Sequence, residues 1–192
     1  MGAAELSVEY FTGQAEFREW LAAHHASSPG IWLKMAKKGS AQSSIDYDRA
    51  LEVALCYGWI DSQVRRVDDD FFVQRFTPRS SRSPWSKRNR EFAEKLAEAG
   101  LLEPAGVAEV ERARADGRWD RAYAGQKAAE MPQDFPDALA RNPEAEAFYA
   151  TLDSHNRYAV YYRLQDAKRP ETRARRIEKF VQQLAERRKF HD

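Results

Sequence analysis

Cysteine is almost missing from this chain: Cys56 is the only one. That excludes an intrachain disulfide and a four-cysteine zinc site within one chain. Cys56 sits in the apolar run Val53-Ala54-Leu55-Cys56-Tyr57 with no base beside it, so it reads as a small buried hydrophobe rather than a catalytic thiolate. Glycine and proline are sparse, nine and eight in 192 residues. No apolar stretch approaches the ~20 residues that cross a bilayer, so no membrane partner is expected. Met1 to Tyr10 carries two glutamates and no apolar block; no signal peptide is expected there, and the chain is expected to be cytoplasmic. A glycine-rich phosphate loop of Walker type is absent, as is an HExxH pair. His24 and His25 are neighbours on a helix, where adjacent side chains point about 100° apart, and His155 and His191 are isolated in sequence. No metal and no cofactor are expected.

What is present is the material of a folded core: 43% hydrophobic residues, 12% aromatic, and enough length for one large domain or two small ones. The net charge of +1 conceals an uneven distribution. From Gln74 to Arg90 the charges are Arg75, Arg79, Arg82, Lys87, Arg88 and Arg90, with no acid among them. Glu91 to Asp153 swings acidic, and Arg157 to Lys189 swings basic again. Charge runs of the last kind usually mark a solvated helix face.

The spacing predicts an α+β fold: a small antiparallel sheet with flanking helices over 1–125, then an all-helical part over 126–192. Thr12 is placed to cap a helix carrying Phe17, Trp20, Leu21 and His24. Ile31 to Ala36 alternates as a strand does. Asp46 is a candidate cap for a helix that Gly58 stops. Ser83 as cap with Pro84 as first residue suits another helix start, and Pro104 opens one more. Later helices are expected near Asp137, at Pro143 after Asn142, after Ser154, and at Pro170, the last with a stripe of Ile177, Phe180, Val181 and Leu184. Tyr158, Tyr161 and Tyr162 read as core of the helical part.

Ile60 to Val67 and Phe71 to Thr77 form the clearest hairpin candidate, turning at Asp68-Asp69-Asp70. With a constant register, Ile60, Val64, Phe72 and Phe76 share one face. Gln63 then opposes Arg75, Asp61 opposes Thr77, and the second face carries Asp61, Gln63, Arg65, Arg75 and Thr77. Two guanidinium forks, an amide, a hydroxyl and a carboxylate on one face are suited to gripping an anion. The same residues also fit an ordinary solvent-facing sheet with cross-strand pairs. The loop that follows adds Arg79, Arg82, Trp85, Ser86, Lys87 and Asn89 around a helix start, where free N–H groups and the dipole favour negative charge. Trp85 there is either a stacking face or a staple to the core.

Four strings, GIWLKMAKKGS, ALCYGWIDSQVRR, QRFTPRSSRSPWSKRNRE and AKRPETRARRIEKFVQQL, resemble the bacterial YdeI/OmpD-associated family, also called bacteriocin-protection-like, over nearly the whole chain. The stretch from Pro132 onward is similar to the family's small helical domain. The resemblance implies a bacterial cytosolic setting and an association with stress or bacteriocin tolerance; it carries no catalytic residue over to this chain.

The expectation is therefore a non-enzymatic module that binds an anionic partner, either nucleic acid or a phosphorylated or carboxylated small molecule, through its basic and aromatic residues. One alternative is a small cofactor-independent enzyme with Asp61 as acid or base and arginines holding an anionic substrate, which requires Asp61 recessed in a pocket. The other is a protein–protein adaptor acting through the last helix, which requires an exposed apolar patch beside Arg173 to Lys179.

Overall fold

The computed structural model describes residues 5–191 and is α+β. The chain divides into two compact units, Met1–Ala122 and Tyr123–Asp192.

In the first unit, β1 (Val8–Tyr10), β2 (Ile31–Ala36), β3 (Trp59–Arg66) and β4 (Phe71–Pro78) form one sheet in the order β1-β2-β4-β3. β1 runs parallel to β2, and the remaining pairs are antiparallel. The three-residue β1 has no alternation long enough to be read from sequence, and it was not among the expected strands. One sheet face is closed by α1 (Gln14–His24), α2 (Tyr47–Cys56) and α3 (Lys87–Glu98), with α4 (Pro104–Ala115) packed behind α2. Phe17 and Leu21 of α1, Leu51 and Leu55 of α2, Leu33 of β2 and Phe76 of β4 meet in this core with Trp59 and Trp85.

Local chemistry explains most boundaries. The Asp46 carboxylate accepts from the Arg49 amide at 2.9 Å and caps α2. Glu16 reaches back to the Thr12 amide at 2.8 Å and the Thr12 hydroxyl at 2.7 Å ahead of α1, an exchange that orders the helix entry although Gly13 is the cap residue itself. Asp68 accepts from the amides of Asp70 and Phe71 and so closes the hairpin turn. Gly58 ends α2 at φ 72°. A Cβ there would lie 2.8 Å from Glu109 Cγ and 2.9 Å from the Ala105 carbonyl oxygen of α4, so both backbone sign and close packing require glycine.

One helix start differs from expectation. Ser86, not Ser83, caps α3, accepting from the Asn89 amide at 3.1 Å, and Pro84 lies outside the helix. Arginines take the carbonyls of Ser83 and Pro84, and residues 83–85 stay outside the helix, whose start lies three residues on.

The second unit is helical: α5 (Asp134–Leu139), α6 (Pro143–Thr151), α7 (Ser154–Gln165) and α8 (Pro170–Ala185), preceded by a single 3-10 turn, Gln126–Ala128. α5 begins three residues before the expected Asp137, because Pro136 is tolerated within a first helical turn. Asn142 and Asp153 cap α6 and α7. Phe135, Leu139, Val160, Leu164, Phe180 and Leu184 form the core of this unit. Tyr161 is buried, and Tyr158 donates to the Ala124 carbonyl at 3.1 Å.

Candidate functional site: an open basic and aromatic sheet face

The hairpin register contains a shift that the constant-register reading lacks. Asp61 pairs with Phe76 and Ile60 with Thr77, but Val64 pairs with Gln74 and Arg65 with Val73. A bulge between Asp61 and Val64 absorbs one residue and reverses which side chains share a face. Ile60 therefore lies beside Thr77 on the open side, away from Val64, Phe72 and Phe76. Asp61 lies on the helix-covered side, opposite in sense to Arg65, Arg75 and Thr77. Gln63 sits in the bulge and is exposed.

On the covered side, Asp61 accepts a 2.7 Å hydrogen bond from the Tyr47 hydroxyl of α2. Burial and the neighbouring Asp61 carboxylate push the Tyr47 hydroxyl pKa well above its ordinary value. Arg88 of α3 lies 5.2 Å over the Tyr47 ring and pairs with Asp48. Asp61 is thus the acceptor in a structural bridge between sheet and helix. It has no place beside the arginines with which the sequence reading grouped it.

The open side carries a more coherent set. Its neighbours are fixed by the register: Val8 beside Trp32, Tyr10 beside Lys34, Trp32 beside Arg75, Lys34 beside Val73. The Arg65 guanidinium lies 4.2 Å from the centre of the Trp32 ring, and the Lys34 ammonium 4.0 Å from that of Phe71. Tyr10 meets Phe71 edge to face, with centroids 6.1 Å apart. Three cations and three aromatic rings thus alternate across all four strands. Tyr10 and Val8 remain 44% and 60% exposed at the parallel edge. Of the expected binding residues, Arg65, Arg75 and Thr77 are on this face. Trp32, Lys34, Tyr10 and Phe71 were missed, although the alternation Trp32–Lys34 against Ile31–Leu33 already marked which of them share a side.

The loop residues lie elsewhere. Arg79 and Trp85 are buried at 5% and 2% exposure. The Arg79 guanidinium is stacked 3.5 Å over Trp85 and donates to the Pro84 carbonyl at 3.2 Å. Trp85 in turn meets Trp119 with centroids 4.8 Å apart, so it staples loop to core. Arg82 and Lys87 are exposed, Ser86 is the α3 cap, and Asn89 is buried in that helix's first turn.

Two arginines of the basic last helix are paired with carboxylates of the same unit. Arg173 pairs with Asp134 at 2.5 and 2.8 Å and holds that carboxyl below its usual range. Arg176 pairs with Asp166 at 3.2 Å. Among the described residues the exposed large hydrophobics are Val8, Tyr10, Val64, Val67, Leu101 and Val107; none belongs to α8, so the apolar patch required by the adaptor reading is not there. Cys56 is buried, and desolvation pushes its thiol pKa up even though Arg18 lies 3.7 Å away. No described helix is long and apolar enough to cross a membrane.

Two family models match the chain. One, a domain of unknown function (DUF8412), matches residues 9–109, more than half of the sequence. The other, described as bacteriocin-protection, YdeI or OmpD-associated, matches residues 128–187. The first three of the four resembling strings lie within the former span and the fourth within the latter. No curated protein and no solved structure gives a significant match.

Proposed function

We propose that this chain, which belongs to the DUF8412 domain family through its first unit, is a non-enzymatic module that binds an anionic partner on the open sheet face, and that the partner chemistry fitting this face best is single-stranded nucleic acid. The observation that carries the reading is the alternation of Lys34, Arg65 and Arg75 with Tyr10, Trp32 and Phe71 on one side of four strands. Phosphates pair with the cations while unstacked bases lie on the rings, at about 1–3 kcal/mol per stacked base; Tyr10 is accessible at 44% exposure, whereas Trp32, at 9%, offers its face only once Arg65 moves off it. A duplex keeps its bases stacked and offers only phosphates to such a face. The resting cation–π contacts keep the Arg65 guanidinium at the Trp32 ring and the Lys34 ammonium at the Phe71 ring, so binding exchanges one partner of each of these two rings for another. The match of the second unit to the YdeI/OmpD-associated model associates the chain with bacteriocin protection, a role compatible with a cytoplasmic nucleic-acid binder.

The enzyme reading loses its geometry, because the Asp61 carboxylate and the Arg65 and Arg75 guanidiniums lie on opposite sides of the sheet. Fluorescence polarisation with labelled single-stranded and duplex oligonucleotides tests the proposal. Single strands are expected to bind at low salt more tightly than duplex, and Arg65→Ala and Arg75→Ala to weaken binding each. Absence of binding at low salt, or binding indifferent to both substitutions, would remove it.

A further inference from the structure

The second unit holds a recess of its own. A cavity of about 240 Å³ lies between the segment before α5, the end of α6 and the first turns of α7, lined by Met131, Tyr149, Arg157, Tyr158 and Tyr161 together with small and uncharged polar residues. Its aromatic wall is fixed from behind. The Tyr158 and Tyr161 rings stack with centroids 5.7 Å and planes 26° apart. Both hydroxyls are tied to one residue: Tyr158 donates to the Ala124 carbonyl at 3.1 Å, and Tyr161 accepts from the Ala124 amide at 3.3 Å. Tyr149 meets the buried Phe135 edge to face, with centroids 5.5 Å apart.

Arg157 is the one charged residue in that lining. Its Nη2 donates to the Ala150 carbonyl at 2.7 Å, and its guanidinium lies 5.5 Å from the centre of the Tyr149 ring. It makes no ion pair among the described residues, and a guanidinium carries five N–H donors. Asp153, the cap of α7, is engaged by the amide and side chain of Asn156 and does not line the cavity. Ring faces alone would also suit a cation, but here a cation would meet Arg157. The volume falls below the roughly 300 Å³ at which sites for drug-sized ligands begin, so the space suits a single ring rather than a nucleotide. One guanidinium, with no second cation beside it, matches a singly charged planar carboxylate in two-pronged fashion.

We infer that this cavity is a binding site for a small aromatic carboxylate, whose ring lies against the tyrosine wall while its carboxylate is taken by Arg157. The site belongs to the second unit alone and stands independently of the nucleic-acid reading. A ligand held there ties the segment before α5 to the corner where α6 gives way to α7.

Benzoate is the probe, with acetate as the anion lacking a ring and benzamide as the uncharged ring of similar shape. The readout is the methyl resonance of Met131 in the full chain labelled at its methionine methyl groups, with Met35, buried in the first unit, as the internal reference. Benzoate is expected to move the Met131 resonance saturably, in the millimolar range or below for a ligand of this size, and to leave Met35 in place. Benzamide is expected to bind about tenfold more weakly, and acetate not to reproduce the shift. Arg157→Gln, at an exposed residue, is expected to weaken benzoate about tenfold and so to abolish its advantage over benzamide, while Arg157→Lys keeps part of it. The three ligands on the wild-type chain decide the matter even if a variant fails to fold. A Met131 resonance indifferent to benzoate would overturn the site. So would acetate reproducing the shift, benzamide matching benzoate, or a folded Arg157→Gln chain that still prefers benzoate.

Discussion

The two faces of the four-stranded sheet are built from the same strands and use aromatic and charged residues in opposite ways. On the covered face, Phe76, Trp59 and Leu33 are dry, and the polar Asp61 is tied to Tyr47. On the open face, Trp32 and Phe71 lie under cations, and Tyr10 stays accessible. Apolar area removed from water contributes stability roughly in proportion to its extent, so the covered face sets whether the unit folds. The open face contributes less to folding and offers what an anionic polymer recognises.

The largest expected effect separates neighbours on β4. Phe76→Ala, at a wholly buried position, is expected to cost about 3–5 kcal/mol in urea unfolding. Arg75→Ala, one residue away, is expected to stay within about 0.5 kcal/mol. Similar losses at both would break the distinction between the faces.

Gly58→Ala tests the covered side at its edge, where the chain enters β3. The positive φ and the contacts with Glu109 and Ala105 predict a loss of about 1–3 kcal/mol; a neutral result in the same unfolding assay would mean that α4 packs less closely than described.

Tyr47 sharpens the comparison through pH. Its folded pKa is raised, so the folded chain keeps a proton that the unfolded chain loses near the ordinary tyrosine value of about 10. The stabilisation is therefore complete below about pH 10 and falls as pH rises further. Tyr149, Tyr158 and Tyr162 are raised as well, so the readout is the difference between wild type and Tyr47→Phe. The variant is expected to start about 1 kcal/mol less stable near neutrality and to lose less at alkaline pH. Parallel curves would show that the Tyr47–Asp61 bond carries no proton linkage.

Much of this architecture was legible in the residues. The strand at Ile31–Ala36 follows from its alternation, the Asp46 and Asn142 caps from side-chain chemistry, and the α8 core from the stripe Ile177, Phe180 and Leu184. The site was legible only in part. Parity carries a strand's facing along its length, and it fails at the first extra residue. Ser62 and Gln63 contain neither glycine nor another mark of the bulge, so Asp61 was assigned to the wrong side. The packing of Trp85 on Trp119 and the bond from Arg118 to Ser83 depend on contacts between segments far apart in sequence, which no local pattern encodes.

The most direct measurement is the salt dependence of single-strand binding, compared between wild type and the combined Lys34→Ala, Arg65→Ala, Arg75→Ala variant. Each phosphate contact contributes about 0.7 to the slope of log affinity against log salt for a single strand. Removing three contacts is expected to flatten the slope by about 2 while Tm stays close to wild type. An unchanged slope in a folded variant would contradict the assignment of binding to the open face.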